Sequence, residues 1–284
     1  MADPDAPAHQ PTAPGAPVRL TDRRDPLRPA RTSIVMANHN RGAYLEAAAR
    51  SVLAQTDGDL ELILWDDGST DDSAQIAGRL ADEDARVVFA SAGHGGLGRA
   101  MLGAHALARG ELVGWVDSDD LLMAHAVARC AGELLARPGV GMVYSDHYAM
   151  SAQGQVMGLG HRCRVPYSAQ GLLVSFMTFH FRLVRRALME RVGGIDAGLE
   201  MAWDYDLCLR LSEAAGVTHL REPLYMYRVH AGSVSETRRA EQVAHAKRAV
   251  EAALVRRGMA PSTRVEVDAH GVFRLVTSDK GPAV

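Results

Sequence analysis

Between residues 32 and 120, short apolar runs alternate with longer amphipathic stretches. Runs at 32–37, 60–65, 86–90 and 112–116 have the length and composition of buried strands. The stretches between them carry apolar residues at helical spacing and polar turns at their ends. Such alternation predicts right-handed crossovers and a mostly parallel sheet covered by helices on both faces. The pattern therefore predicts an α/β fold with a Rossmann-like central sheet.

The pattern becomes less regular after residue 120. Residues 151–175 contain Gly, Pro and Arg without a clear period, which suits an adaptable, substrate-facing segment. A helix is predicted from Trp203, with Leu207 and Leu211 facing inward. The other predicted elements are a helix at 124–136, a strand at 141–146, helices at 184–191 and 236–257, and a hairpin at 264–276 that turns at His270 and Gly271.

Length and charge restrict the class of protein. The chain has 284 residues, enough for one large α/β domain, and a formal net charge of -3, which argues against a nucleic-acid partner. Residues 1–30 are rich in Pro and Ala, and we expect them to be disordered. Three widely spaced cysteines favour a reducing cytoplasm over a disulfide framework. No apolar run reaches the roughly 18 residues of a membrane span, so we expect no transmembrane segment, with peripheral membrane contact left open.

The most informative stretch is the apolar run at 112–116, which leads directly into Asp117, Asp119 and Asp120. A parallel strand delivers such acids to the carboxyl edge of its sheet, where open α/β folds bind ligands. Carboxylates this close repel one another unless a cation lies between them, and their oxygens suit Mg²⁺ or Mn²⁺. These ions also bind substrate phosphates, which favours a nucleotide substrate. The alternative is an N-cap for a helix beginning at Leu121.

Two other polar turns follow predicted strands. Residues 93–98 satisfy the G-x-G-x-x-G pattern of a dinucleotide-binding turn. Such a turn normally opens the first βαβ unit and is followed by a single acid, whereas here two βα units precede it and the acids beyond form a cluster. A flexible Gly-rich loop is therefore favoured. Residues 66–71 form an Asp-rich turn that would suit an N-cap alone. Their place at the same sheet edge as Asp117 favours base recognition, because a carboxylate can accept the imide N–H of uracil or thymine.

Taken in order, these motifs resemble the family 2 glycosyltransferases of the GT-A fold, over about residues 32–235. The resemblance implies a nucleotide-binding half at 31–120, an acceptor-binding half at 121–235 and a C-terminal helix and hairpin extension at 236–284. The segments that carry it are 33–40, 51–56, 61–71, 110–120, 192–196, 203–211 and 227–230.

The resemblance also implies roles for individual residues. Asp119 would bind the metal, Mn²⁺ or Mg²⁺, and His230 would reach that metal or the diphosphate. Asp204 would be the general base, with Asp206 as a competing candidate because Trp203 replaces the usual Glu. In the nucleotide set, Ala37 and His39 would line the base, Asp67 would read its edge, Asp117 would hold the ribose, and Asn40, Ser118 and Arg99 would complete the site.

Besides Trp203, two other features depart from the family pattern. His39 stands where an aromatic residue, often Tyr, is usual, so stacking on the base is expected to be weaker or pH-sensitive. The Gly-rich turn lacks the usual Asn/Arg pattern, which weakens the assignment of Arg99.

The resulting hypothesis is metal-dependent, inverting transfer of a sugar from a nucleotide-diphosphate sugar. Uridine diphosphate is favoured as the carrier, and the acceptor is a hydroxyl or amine on a small or lipid-linked molecule. Two rival hypotheses are a nucleotidyltransferase and a nucleotide-sugar-binding protein without catalysis. The C-terminal helix would either cover the acceptor site or make a homodimer contact.

Overall fold

The computed structural model describes residues 18–232 and 237–278. Its helices are α1 (Gly42–Leu53), α2 (Ser73–Glu83), α3 (Leu97–His105), α4 (Ala126–Ala136), α5 (Arg186–Arg191), α6 (Trp203–Ala214) and α7 (Arg239–Arg256). The strands of the main sheet are β1 (Arg19–Thr21), β2 (Thr32–Asn38), β3 (Leu60–Asp67), β4 (Val87–Ala92), β5 (Leu112–Trp115), β6 (Leu121–Leu122), β7 (Val140–Ser151), β8 (Val156–Leu159), β9 (Arg182–Arg185) and β10 (Gly216–Val229). A separate hairpin consists of β11 (Thr263–Val267) and β12 (Phe273–Thr277).

The main sheet has the order β1-β4-β3-β2-β5-β9-β7-β10-β6, with β8 paired to β7. The strands β2, β3, β4 and β5 are mutually parallel, and β10 is parallel to β7. Strand β9 lies antiparallel between β5 and β7. The predicted α/β class with a mostly parallel sheet is confirmed.

Helices cover both faces of the sheet because successive strand residues face opposite layers. In β2, Ile34 and Met36 pack in one apolar core with Leu45 of α1 and Leu80 of α2. Val35 packs in the other core, which also holds residues of α3, α6 and α7. A strand buried on both faces reads as a continuous apolar run, as the sequence of β2 does. No helix in the described ranges is long and apolar enough to cross a membrane.

The helix expected at 184–191 is partly wrong. Residues up to Arg185 belong to β9, and the helix begins at Arg186. Leu183 and Val184 are both fully buried, but they lie in different cores, one on each face of the sheet. An apolar run buried on both faces has no alternation, so its period does not distinguish a strand from a helix.

The expected disorder of residues 1–30 does not hold for the part that the structure describes. Strand β1 pairs antiparallel with the outer strand β4. The Arg24 guanidinium donates hydrogen bonds to Glu61 at 2.7 Å and to the carbonyl of Leu107 at 2.9 Å. Main-chain pairing and one buried ion pair therefore order this segment without an apolar pattern of its own. Residues 1–17 lie outside the described residues.

Candidate active site

A cleft of about 1000 Å³ lies at the carboxyl edge of the parallel strands. Seven of the residues singled out in the sequence line it: Ala37, His39, Asp67, Asp117, Ser118, Asp119 and Asp204. Asn40 and His230 contact lining residues instead, with Asn40 Nδ2 3.2 Å from His39 Nε2 and His230 Nε2 3.0 Å from Asp119 Oδ2. The described lining does not include Arg99, which is exposed on α3.

The loops that follow β2 and β3 are held together by side chains. Asn38 donates from Nδ2 to Asp66 Oδ1 at 3.1 Å and to Ser69 Oγ at 3.2 Å. Asn40, at a φ of 53°, accepts a hydrogen bond from the Thr70 N–H at 2.8 Å. Asn tolerates this left-handed conformation better than most residues. The two polar turns thus form one wall of the cleft.

The Gly-rich turn is organised by Asp67. The Asp67 carboxylate accepts hydrogen bonds from the N–H groups of Gly95 at 2.8 Å and Gly96 at 3.0 Å, and its Oδ2 lies 2.8 Å from His94 Nδ1. These two N–H groups point at a carboxylate of the protein, whereas a dinucleotide-binding turn presents such groups to a pyrophosphate. The turn at Gly68 has a φ of 69°, and a Cβ there would lie 2.5 Å from the His94 nitrogen.

Two histidines occupy the part of the cleft expected to hold the base. The rings of His39 and His94 are stacked with centroids 4.2 Å apart, and His39 Nδ1 lies 2.8 Å from the Asp67 carbonyl oxygen. His94 also lines the cleft, and no feature of the sequence selects it beyond its place in the Gly-rich turn. His39, which stands where the family usually has an aromatic residue, therefore stacks on a second imidazole.

The acids after β5 have separate environments. Asp120 is fully buried and accepts hydrogen bonds from the Tyr225 hydroxyl at 2.8 Å and the Arg228 N–H at 2.6 Å. Burial, followed by the charges of Asp117 and Asp119, raises the pKa of Asp120 well above its usual range. The N-cap alternative is wrong, because the chain continues into β6, which pairs with β10.

Asp119 and Asp117 face the cleft. The Arg41 guanidinium lies 3.2 Å from Asp119 Oδ2, the oxygen that also contacts His230. The Asp117 side chain is 53% exposed, toward the cleft that it lines, and it lies 3.4 Å from His180 Nε2. Desolvation by the surrounding cleft walls, followed by repulsion from Asp119, raises the pKa of Asp117 above its usual range. A bound cation would reduce the repulsion between these carboxylates.

Several side chains could contribute to a metal site. Among the described residues, Asp117, Asp120 and His180 form one group whose potential ligand atoms lie within 4.8 Å of one another. Burial lowers the pKa of His180 well below its usual range, which favours the neutral imidazole that metals bind. The predicted pair, Asp119 and His230, adds a carboxylate and an imidazole 3.0 Å apart.

Asp204 lies in the first turn of α6 and lines the cleft. Its Oδ2 accepts a hydrogen bond from Arg182 at 3.0 Å. Asp206 does not line the cleft in the described structure: its Oδ2 accepts hydrogen bonds from Arg210 at 2.6 and 2.8 Å. The structure therefore brings only Asp204 of these two acids to the other acids of the cleft.

Arg182 was missed by sequence reasoning. It is 2% exposed in β9, and its guanidinium carbon lies 5.9 Å from the Trp115 ring centre and 5.4 Å from that of Phe176. A charged residue inside the apolar run 181–184 was the available signal. Trp203, the departure beside Asp204, is buried with its ring 5.6 Å from that of Trp115.

The C-terminal segment forms part of the cleft wall. Residues of α7 and of the following hairpin line the cleft, among them Arg239, Gln242 and Phe273. On its other side α7 buries Val250 and Leu254 in the core shared with α6. The predicted helix and hairpin are present. Of the two roles considered for the helix, covering the acceptor site is compatible with a position in the cleft wall.

The sheet order, the acids at the end of β5 and the helices on both faces define a GT-A fold. The model of the family "Glycosyl transferase family 2" matches residues 33–193, more than half of the chain. The chain therefore belongs to glycosyl transferase family 2.

Curated relatives share about a third of their aligned residues with the chain. It is 31% identical to a chondroitin synthase of Escherichia coli over 215 residues, covering 76% of this chain and 31% of that protein. It is 34% identical to the O-antigen biosynthesis protein RfbC of Myxococcus xanthus over 221 residues, covering 74% of this chain and 17% of RfbC. The chain spans about a fifth to a third of the length of the first curated relatives it matches.

Solved structures show the same fold at low identity. TarS 1-349 of S. aureus in complex with UDP has a TM-score of 0.62 and 19% identity, covering 79% of this chain and 65% of that one. The mannosyltransferase PcManGT of Pyrobaculum calidifontis, in complex with GDP-Man and Mn²⁺, has a TM-score of 0.56 and 16% identity, covering 85% and 78%.

Proposed function

We propose that this chain transfers a sugar, with inversion, from a nucleotide-diphosphate sugar to a hydroxyl or amine of an acceptor. The observation that carries the proposal is that Asp117, Asp119 and Asp204 line one cleft at the carboxyl edge of the sheet. Family membership supports glycosyl transfer as the reaction class. The UDP and UDP-GlcNAc complexes of TarS support uridine diphosphate as the donor's carrier.

The donor nucleotide is proposed to lie along the ends of β2, β3 and β5. The imidazole pair of His39 and His94 offers a flat face to the base. Asp67 binds the Gly-rich turn and still has an unused lone pair on Oδ1, which can accept an imide N–H. Ala37, Asn40 and Ser118 complete the proposed nucleotide set. Arg99 is less suited to neutralise phosphate than Arg41, which lies beside Asp119.

The residues present fit a divalent cation, Mn²⁺ or Mg²⁺. Asp117 and Asp119 place two carboxylates in the cleft, and Asp119 offers an oxygen 3.0 Å from the His230 nitrogen. We propose that Asp119 and His230 hold the ion. When bound, it would neutralise charge on the departing nucleoside diphosphate. Arg41 places a second positive charge at the same carboxylate.

Asp204 is proposed to be the general base. Arg182 holds one carboxylate oxygen, and this fixes the side chain toward the cleft. Asp204 accepts the proton of the acceptor hydroxyl or amine as that group attacks the anomeric carbon and the bond to the diphosphate breaks. Attack on the face opposite the leaving group inverts the configuration at that carbon.

The acceptor is proposed to be a small or lipid-linked molecule, because the cleft also runs beside α7 and the hairpin. A cytoplasmic location is proposed on the buried free thiols of Cys130, Cys163 and Cys208, which suit a reducing compartment. A homodimer remains a proposal from the sequence.

Release of nucleoside diphosphate from a panel of nucleotide sugars, with Mn²⁺ and without acceptor, tests the reaction class. Free nucleoside diphosphate is expected. Asp119→Ala should abolish the Mn²⁺-dependent part of donor binding, measured by calorimetry, while Asp82→Ala, an exposed acid on α2, should retain it. Pyrophosphate release would identify a nucleotidyltransferase, and binding without any release would identify a non-catalytic protein.

A further inference from the structure

In the part of the chain that the structure describes, the side chain of Arg162 is a cation in the cleft without an acidic partner. It belongs to a 3-10 turn at His161–Arg164 and lines the cleft. Its guanidinium carbon lies 4.4 Å from the Phe179 ring centre and 5.6 Å from that of Phe176. Its Nη1 donates a hydrogen bond to the Phe176 carbonyl at 3.4 Å. Within the described residues, no carboxylate lies within ion-pair distance of it.

Three other arginines of the cleft have an acidic partner, whereas Arg228 and Arg239 donate to main-chain carbonyls within the described residues. Arg182 is paired with Asp204 at 3.0 Å, Arg41 with Asp119 at 3.2 Å and Arg238 with Glu200 at 3.1 Å. Removing a cation from water is costly unless a counter-charge is supplied. Burial lowers the pKa of Arg162, and Asp204 acts in the opposite direction. Arg162 is thus a cation that an anionic ligand would stabilise.

The position of Arg162 indicates which ligand this is. The Phe176 ring that contacts Arg162 also lies 5.4 Å from the guanidinium carbon of Arg182, the partner of Asp204. One aromatic ring therefore separates Arg162 from the arginine that holds the proposed base. The acceptor must approach this base, so a group bound at Arg162 belongs to the acceptor.

We propose that Arg162, with Phe176 and Phe179, forms a subsite for an anionic group, a carboxylate or a phosphate, on the acceptor. This inference rests on the proposed glycosyltransferase function. The planar guanidinium can donate two parallel hydrogen bonds to a carboxylate or phosphate, and the adjacent aromatic rings hold its plane in place. The acceptor class is accordingly a sugar acid or a phosphorylated molecule rather than a neutral sugar.

Matched pairs of acceptors test the proposal, with the full chain, Mn²⁺ and the donor identified by nucleotide release. The carboxylate pair is 4-nitrophenyl β-D-glucuronide against 4-nitrophenyl β-D-glucoside, and the phosphate pair is glucose 6-phosphate against glucose. Binding of the same four probes to the protein with UDP and Mn²⁺ is measured by calorimetry. In one pair, the anionic member should have a KM or Kd at least tenfold lower than its neutral counterpart.

Arg162→Met should raise the KM or Kd of that anionic probe at least tenfold and change that of the neutral probe by less than twofold. Arg162→Lys keeps the charge and should lose less. The control is Arg164→Met, which changes an exposed arginine of the same turn and should keep the wild-type preference.

A preference for glucuronide identifies a sugar acid, and a preference for glucose 6-phosphate identifies a phosphorylated acceptor. Equal values within both pairs overturn the subsite, as does a preference that survives Arg162→Met. An Arg162→Met effect confined to donor affinity would also overturn it, since the residue would then serve the donor. Failure of the wild type to release nucleoside diphosphate would instead contradict the proposed function.

Discussion

Two groups of acids reach the cleft from different elements, one after β5 and one in the first turn of α6. The group after β5 has two acids that face the cleft, Asp117 and Asp119, and the group in α6 has one; each group also has one acid that is buried in a structural contact. After β5, Asp119 contacts Arg41 and His230, whereas the adjacent Asp120 accepts hydrogen bonds from Tyr225 and from the main chain. In α6, Asp204 faces the cleft, whereas Asp206 is paired along the helix.

The difference lies in how each element separates its acids. Two positions along an α-helix correspond to about 200° of rotation, so Asp204 and Asp206 lie on opposite faces by helical geometry alone. Asp119 and Asp120 are neighbours in an irregular turn, where only the partners Tyr225 and Arg228 fix Asp120 inward. In a helix, the spacing of two acids therefore predicts that they face different directions. In a turn, the direction of each acid depends on its tertiary contacts.

The largest expected effect concerns the α6 acids. Asp204→Asn should reduce kcat by roughly two to four orders of magnitude, the range for loss of a general base, because the amide cannot take the acceptor proton. Donor affinity should remain, since Asp204 is assigned neither to the proposed nucleotide set nor to the proposed metal ligands. Steady-state kinetics and donor titration measure the two quantities. Normal turnover by this variant would remove Asp204 from the mechanism.

The matched control is Asp206→Asn. It weakens a buried ion pair with Arg210 and should lower the free energy of unfolding by about 3 kcal/mol, measured in urea. The activity of the folded fraction should stay near that of the wild type. A large loss of kcat in Asp206→Asn with Asp204→Asn unaffected would reverse the assignment.

The next effect concerns the acids after β5. Asp120→Ala leaves the Tyr225 hydroxyl and the Arg228 N–H without their buried acceptor, and should lower the free energy of unfolding by about 2–4 kcal/mol. Asp119→Ala, which removes a partly exposed carboxylate, should change stability much less. Equal losses of stability in the two variants would contradict the contrast drawn between these neighbours.

The smallest expected effect concerns His105 and the pH dependence of stability. The stabilities of the acid variants should be compared at a pH where this contribution is constant. Burial lowers the pKa of His105 to about 4 from the usual 6.5, and its ring lies 5.8 Å from that of Trp115. The unfolded chain therefore takes up this proton first, so stability is lost as the pH falls from 6.5 toward 4. His105→Gln should reduce this slope by about 1 kcal/mol per pH unit in urea titrations. Parallel slopes for both proteins would refute this contribution.

Much of the fold could be predicted from local patterns, and parts of the site could not. Strands β2 to β5 each end in a polar turn, and parallel pairing brings these turns to one edge, so Asp117, Asp119 and Asp67 were placed together correctly. The helix predicted at 184–191 includes the last two residues of β9, because this strand is buried on both faces and its apolar run shows no alternation. Arg99 was placed in the cleft by analogy with a motif, although α3 turns its side chain outward.

The sequence by itself determined the α/β class, the edge of the sheet at which the acids collect and the family, because these depend on periodicity and on motifs local to the chain. The tertiary structure decided which acids of each group face the cleft, that Arg182 holds Asp204, that Arg162 has no acidic partner among the described residues, and that α7 joins the cleft wall. These outcomes depend on contacts between residues distant in sequence, and no local pattern encodes which partners the folded chain brings within hydrogen-bonding distance.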